Sequence, residues 1–151
     1  MVCPFCGNKD TSVYNSRQTI RLNNVWRRRR CELCGKTFTT TETIDPATVL
    51  RVKGNKSTEP FRTTTILVSI LRVCDHLPKP EEAADYIYQT VLQKLYRQAV
   101  NGTQIINKAD IVLVVLATLK PYNLAAYVKY LSYHSPDIDT RSLKKQLKTT
   151  S

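Results

Sequence analysis

Two Cys-x-x-Cys pairs constrain the fold of this chain more than any other feature of its sequence. The first pair is Cys3 and Cys6, the second is Cys31 and Cys34, and 24 residues separate them. Zn²⁺ prefers four soft or borderline ligands in a tetrahedron, and a Cys-x-x-Cys turn directs both sulfurs to one point. We therefore predict that the four cysteines bind one structural Zn²⁺ in a zinc ribbon.

Redox-active Cys-x-x-Cys motifs and iron–sulfur clusters use the same residues and are the alternatives. Gly7 and Gly35 each follow the second cysteine of a pair, where a positive φ is commonly required, and the sequence that the two pairs flank is β-prone. Neither alternative accounts for this combination. Residues 1–45 are poor in aliphatic side chains, so metal binding must supply folding free energy, on the order of 10 kcal/mol or more.

The chain has five cysteines, an odd number that cannot all form disulfides. Met1 is followed directly by the first cysteine pair, without the basic and apolar segments of an export signal, so we expect a cytoplasmic protein with reduced thiols. No apolar run approaches the roughly 20 residues that cross a bilayer, and no membrane partner is predicted. Cys74 lies in an apolar helical pattern and is predicted to be a small buried hydrophobe.

A basic charge balance points to a polyanionic partner such as nucleic acid. The formal net charge is +11, and Arg27–Arg30 form an unbroken basic run before the second cysteine pair. On a strand, alternate arginines face opposite sides, and guanidinium groups pair with phosphate oxygens and with the edge of guanine. The alternative is a solvated surface, although adjacent like charges repel one another. Trp26 either stacks on a ligand or covers the small core. The predicted nucleic-acid-binding residues are Arg17, Arg27, Arg28, Arg29, Arg30 and Lys36.

A change of composition near Asp45-Pro46 divides the chain into a metal-stapled module and an aliphatic-rich domain. We predict a zinc-ribbon domain over residues 1–45, a second domain over 46–136 and a basic polar tail over 137–151. Segments rich in β-branched and aromatic residues predict three strands in the ribbon. They are Ser12–Ser16, Val25–Arg30 and Phe38–Thr43, with a turn at Leu22–Asn24.

The second domain is predicted to begin with a β-hairpin and to continue with about four helices, which makes the fold class α+β. The hairpin strands are predicted at Thr48–Lys53 and Ser57–Phe61, around a Gly54-Asn55 turn. Apolar residues at three- and four-residue spacing, with Pro80 and Asn107 at helix starts, predict the helices. They are Ile66–Leu77, Pro80–Val100, Asn107–Lys120 and Leu124–Tyr133.

Several motifs resemble those of the NrdR family, bacterial transcriptional repressors of ribonucleotide reductase genes. They are the Cys3-Pro4-Phe5-Cys6 turn, the Val13–Arg17 segment, the stretch Arg27–Glu42 and the Thr58–Phe61 motif of the second domain. The resemblance covers the chain to about Asp139. It implies a zinc ribbon that binds a palindromic DNA operator, followed by an ATP-cone, a β-hairpin with helices that binds ATP or dATP.

The resemblance further implies a homo-oligomer, cytoplasmic and associated with the nucleoid, in which ATP or dATP changes the oligomeric state and so controls DNA binding. No enzymatic activity is implied, and the sequence has no glycine-rich phosphate loop. Val52 and Thr65 stand where the family has basic residues, and Asn15 where it has an acidic one. Lys53 and Lys56 are predicted to substitute for the missing charges. The indicated nucleotide-binding residues are Val49, Arg51, Lys53, Lys56, Glu59, Phe61 and Tyr127.

A function of another class remains as the alternative. The chain could be a regulatory or assembly module that uses its second domain for protein contacts, with the ribbon as a scaffold. A nucleic-acid-processing enzyme is disfavoured because the sequence has no evident paired carboxylates or open metal site. His76 and His134 belong to no evident catalytic motif and are predicted to be structural or at the surface.

Overall fold

The computed structural model describes residues 1–19, 24–54 and 57–134, in two compact units that meet between Asp45 and Pro46. The first unit consists of antiparallel strands that bear the cysteine cluster, and the second combines helices with a small sheet. The predicted α+β fold class is thereby confirmed. The predicted turn residues Leu22 and Asn23, the predicted ligand Lys56 and the predicted tail 137–151 lie outside the described residues.

The first unit is a three-stranded antiparallel sheet. Its strands are β1 (Thr11–Thr19), β2 (Asn24–Cys31) and β3 (Thr37–Glu42), in the spatial order β1-β2-β3. The three predicted strands lie within these bounds to within a residue. Because β2 is the central strand, the arginine run is hydrogen-bonded on both sides, and the direction of each arginine is set by the register of the sheet.

This first unit has almost no apolar core. Among its described residues, only Cys3 and Cys31 are buried. A sheet of three short strands cannot offset its ordering entropy with so little burial. Metal ligation by the four sulfurs therefore supplies the folding free energy that an apolar core supplies in a larger domain.

The second unit begins with one helical turn, α1 (Pro46–Val49), followed by the strands β4 (Arg51–Lys53) and β5 (Thr58–Pro60). The predicted strand Thr48–Lys53 is thus wrong over its first residues. Proline is favoured at the first position of a helix, and the Leu50 N–H donates to the Pro46 carbonyl at 2.8 Å. This turn directs Leu50 into the core, where it is fully buried.

The hairpin is extended to a mixed three-stranded sheet by a strand that the sequence did not predict. This strand, β6 (Ile105–Asn107), pairs in parallel with β4 on the edge opposite β5. Arg51 pairs with Ile105 and Lys53 with Asn107. The side chain of Ile106, at the centre of β6, is buried in the core.

Four longer helices complete the second unit and match the predicted helices in position. Pro80 occupies the first turn of its helix, and Asn107 with Asp110 forms a capping box at the start of the next. Their apolar faces enclose one core, and Cys74 is fully buried within it as predicted. No helix of the described chain is both long and apolar enough to span a membrane. The helices are α2 (Thr63–Cys74), α3 (Pro80–Val100), α4 (Lys108–Tyr122) and α5 (Leu124–His134).

Candidate metal centre, nucleic-acid interface and nucleotide cleft

The four cysteine sulfurs of the first unit form one compact cluster. The Sγ atoms of Cys3 and Cys34 are 3.8 Å apart, those of Cys6 and Cys31 are 3.6 Å apart, and all four lie within 4.8 Å of one another. A tetrahedral thiolate site with Zn–S bonds of about 2.3 Å separates its sulfurs by about 3.8 Å, whereas a disulfide joins them at about 2.05 Å. The cluster therefore fits a Zn²⁺ ion.

The two cysteine turns have the same backbone structure. The Cys3 N–H donates to the Asn8 carbonyl at 2.8 Å and the Gly7 N–H to the Cys3 carbonyl at 3.0 Å, and residues 31–36 repeat both bonds at 3.0 Å. Gly7 has a φ of 74° and Gly35 a φ of 67°, which confirms the predicted need for glycine after each pair. This repetition places the four sulfurs symmetrically around one point.

The thiols of the cluster are unequal in acidity. The backbone N–H groups of Cys34 and Leu33 stabilise the Cys31 thiolate and lower the pKa of Cys31 to about 6. The N–H of Asn8 acts to lower the pKa of Cys6, but lost hydration and the other three sulfurs outweigh it and raise this pKa to about 12. Four thiolates at this distance repel one another, so a divalent cation is needed to hold all of them deprotonated.

The register of β2 divides the arginine run between the two faces of the sheet. Arg27 and Arg29 share one face with Thr40 and Glu42 of β3. The Nε of Arg27 lies 2.8 Å from Oε1 of Glu42, and its Nη2 donates to Oε2 at 3.1 Å. The Nε of Arg29 donates to Oγ1 of Thr40 at 3.3 Å. On this face the charge of Arg27 is therefore compensated within the sheet.

The opposite face, called here the Arg28 face, comprises Arg17, Trp26, Arg28 and Arg30. Among the described residues, Arg28 donates only to neutral oxygens, with Nε 3.0 Å from the Tyr14 hydroxyl and Nη2 3.1 Å from Oγ1 of Thr37. The side chains of Arg17 and Arg30 have no hydrogen-bond or ion-pair partner among the described residues. The Arg28 face thus presents three cations that form no ion pair with a carboxylate of the described chain, and Glu32, the carboxylate bonded to Ser12 opposite Arg30, is engaged by that hydroxyl.

Lys36, the remaining predicted DNA-binding residue, lies at the second cysteine turn. Its Nζ is 5.0 Å from the centroid of the Phe5 ring, which is an exposed cation–π contact between the two turns. The positive charge of Lys36 is therefore held beside the sulfur cluster, and the aromatic ring leaves it accessible to an anion.

In the second unit, a cavity of about 440 Å³ opens beside the hairpin. It brings together two of the predicted nucleotide-binding residues, Glu59 and Phe61. A wider cavity of about 820 Å³ adjoins it along α2, and the two share Thr65, Ser69 and Lys108, together with His134. Ligand pockets usually have volumes of about 300 to 1,000 Å³, so each of these cavities is large enough for part of a nucleotide.

The other predicted nucleotide-binding residues of the described chain line neither of these cavities. Arg51 donates from Nη2 to the Thr58 carbonyl at 2.9 Å, and Lys53 is exposed at the end of β4. Val49 packs against the core, and Tyr127 is buried within it. Of the hairpin cations, the described ones, Arg51 and Lys53, thus do not line the cavity that holds Glu59 and Phe61.

Three cations at the two cavities were not predicted from the sequence. Arg62 lines the smaller cavity, Arg72 the larger, and Lys108 both. These residues come from both ends of α2 and from the start of α4, so they are distant in sequence. Lys108 directly follows the helix cap Asn107, but nothing in its sequence neighbourhood indicates that it faces α2.

The fold and the sulfur cluster define a zinc-ribbon protein with a basic β-sheet, joined to a second unit of helices and mixed sheet. Residues 1–42 match the family model described as Transcriptional repressor NrdR-like, N-terminal domain. This match covers most of the first unit.

Relatives named Transcriptional repressor NrdR match almost the whole chain. One from a Thermoanaerobacter species is 30% identical over 98% of this chain and 92% of its own length. Another, from Dehalococcoides mccartyi, is 34% identical over 96% of this chain and 80% of its own length. A third, from Gloeobacter violaceus, is 31% identical over 89% of this chain and 76% of its own length. Because these relatives are at least 30% identical over most of both chains, this chain belongs to the NrdR family of transcriptional repressors, as the motifs predicted, and its role is regulatory and not enzymatic.

Proposed function

We propose that this protein represses ribonucleotide reductase genes by binding palindromic operators through its zinc ribbon, under the control of ATP and dATP bound to its second unit. The observation on which the proposal rests most is the Arg28 face. Three arginines without a carboxylate partner on a metal-held sheet are unfavourable unless a polyanion neutralises them. We propose that this face, with Lys36 beside the cysteine turns, contacts the operator.

The chemistry of the face suits both kinds of DNA contact. Guanidinium groups bind phosphate oxygens and the O6/N7 edge of guanine with two parallel hydrogen bonds. Arg28 is already oriented by Tyr14 and Thr37, so little side-chain entropy is lost on binding. Arg27, which is paired with Glu42, is available to DNA only at the cost of that ion pair.

Control by nucleotides is supported by the cavity beside the hairpin. It combines apolar walls suited to a nucleobase with Glu59 and with cations suited to phosphates. A symmetric operator requires at least two ribbons related by a twofold axis, so the active species is a homo-oligomer. We propose that ATP and dATP stabilise different oligomers in the cytoplasm and that one of them presents its ribbons at the spacing of the operator on the nucleoid.

A mobility shift on the reductase promoters of the source organism tests this proposal. The protein is compared without nucleotide, with ATP, and with ATP plus dATP, and its mass is measured in the same buffers. We expect a specific shift in one nucleotide state and a mass that differs between states. Absence of any shift contradicts repression of these genes, and a changing mass without DNA binding favours the assembly module instead.

A further inference from the structure

We infer that the nucleotide phosphates bind in the groove between α2 and the start of α4, with Arg72 and Lys108 as their ligands, while the base occupies the apolar cavity beside the hairpin. This inference rests on the proposed nucleotide-binding function of the second unit. The family resemblance indicates phosphate contacts in the hairpin. The inference assigns these contacts to residues outside the hairpin.

The two adjoining cavities differ in the chemistry of their walls. The smaller one is lined largely by apolar side chains, among them Val52, Phe61 and Ile111. The larger one is lined mainly by hydroxyl-bearing and cationic residues, including Thr64, Thr65 and Arg72. A nucleoside triphosphate has the same division, with a flat apolar base at one end and a hydrogen-bonding anionic chain at the other.

The distribution of charge gives the nucleotide its direction. Among the described residues that line the two cavities, Glu59 is the only one with a carboxylate. It lines the smaller cavity and not the larger one. In the smaller cavity the charge of Glu59 offsets that of Arg62, whereas the larger cavity has Arg72 and no carboxylate among its described lining residues and therefore attracts phosphates more strongly. Lys108 lines both cavities and thus stands where the first phosphates would pass from one to the other.

Helix α2 contributes side chains to the groove from both of its ends. Thr65, Ser69 and Arg72 recur at four- and three-residue spacing, so they line one side of the groove. The first turn of α2 has no side-chain cap at Arg62, and the positive end of the helix dipole lies where Thr64 and Thr65 line the larger cavity. Arg72 is in the last turn of α2, so its own charge, and not the dipole, attracts phosphate there. Lys108 closes the groove from the first residue of α4.

The hairpin offers no comparable site within the described residues. Arg51 is engaged with the Thr58 carbonyl. Arg51 and Lys53 alternate along β4 with Val52, whose side chain lines the smaller cavity, so both cations are on the other face of the strand. Thr65, which stands where the family has a lysine, lines both cavities beside Lys108. A basic group at the groove is thus supplied from α4.

Calorimetric titration of the full-length protein with ATP, ADP, AMP and adenosine tests the inference. We expect Arg72→Ala and Lys108→Ala each to weaken ATP binding roughly tenfold or more, because each removes a charge-assisted contact to phosphate, and to leave adenosine binding unchanged. Lys79→Ala, which removes an exposed cation paired with Glu82, is the matched control. Lys53→Ala tests the hairpin as the phosphate site.

Each result is assigned to one of the two proposals. Unchanged ATP affinity in Arg72→Ala and Lys108→Ala, or equal losses for ATP and adenosine, overturns the phosphate groove. A loss of ATP affinity confined to Lys53→Ala overturns it in favour of the hairpin. A wild-type protein that binds none of the four compounds overturns nucleotide control itself, and the groove with it.

Discussion

At the scale of single residues, four consecutive arginines have different surroundings. Arg27 is paired with Glu42, Arg29 donates to Thr40, Arg28 is held by Tyr14 and Thr37, and Arg30 has no partner among the described residues. These differences arise from the alternation of side chains on β2 and from the residues that β1 and β3 place opposite them. The four arginines should therefore contribute unequally to DNA binding.

We predict that the double variant Arg28→Ala/Arg30→Ala loses most specific operator affinity. Its salt dependence should also become weaker, because the slope of log K against log salt falls by about 0.9 for each phosphate contact removed. Binding is measured by fluorescence anisotropy on operator DNA over a range of salt concentrations. The control is Arg27→Ala, which removes a charge that Glu42 already compensates and should alter the slope little. An affinity and a salt slope that stay unchanged in the double variant would show that the Arg28 face is not the DNA interface.

The sequence was sufficient to predict the metal site at this scale and insufficient to rank the arginines. The metal site follows from local spacing, since each Cys-x-x-Cys turn with its glycine directs two sulfurs by itself. The surroundings of Arg27 and Arg28 depend on which residues of β3 and β1 lie opposite, and the bulge between Val13 and Asn15 changes that register along β1. No local pattern encodes such a bulge.

At the scale of elements, the helices were predicted well because their apolar periodicity, caps and prolines are local signals. The strand β6 was missed because it has only three residues, and its pairing partner β4 lies about 50 residues earlier in the chain. A parallel strand of three residues is too short to show a periodic sequence pattern. It is recognised only when the strand that pairs with it is known. The turn α1 was missed because Val49 and its neighbours favour a strand by composition, whereas Pro46 begins a helical turn.

An ion pair joins the end of α2 to α5 and makes the second unit sensitive to acid. Lys129 donates from Nζ to both carboxylate oxygens of Asp75, at 2.6 and 2.7 Å, and this contact lowers the pKa of Asp75 below its usual value of 3.8. Because the folded-state pKa is lowered, the pair stabilises the fold above the ordinary aspartate pKa. That stability is lost as the pH falls through the lowered value.

We therefore predict that Lys129→Ala is less stable than the wild type at neutral pH and equally stable in acid. The effect is small because the pair is exposed. Urea unfolding of the helices, followed by circular dichroism between neutral pH and pH values below the lowered pKa of Asp75, measures the difference. Lys79→Ala, whose partner Glu82 is only three residues further along the chain, serves as the comparison. A difference from wild type that persists in acid would mean that Lys129 acts by packing and not by its charge.

At the scale of the whole molecule, the two units depend on different sources of stability. The described part of the ribbon buries only two residues, both of them cysteines, whereas the second unit encloses a continuous apolar core. The ribbon is therefore stabilised by metal ligation, and the second unit by hydrophobic burial. Loss of the metal should unfold one unit and leave the other intact.

We predict that a zinc chelator abolishes operator binding and preserves most of the helical signal in circular dichroism. All helices of the described residues belong to the second unit, so that signal reports on it. Nucleotide binding should also survive chelation, and added Zn²⁺ should restore DNA binding. Loss of the helical signal on chelation would contradict the independence of the second unit from the metal.

The sequence by itself determined the cysteine ligands, the α+β class, the positions of the longer helices and the family. All of these depend on spacing within a turn or on periodicity within one element, which are local properties of a chain. Only the tertiary structure decided which arginines remain uncompensated and which cations line the cleft. Arg72, Lys108 and Glu59 come from distant parts of the sequence to line the two adjoining cavities because α2, α4 and the hairpin pack around one core. Their proximity is a consequence of that packing, which no local pattern expresses.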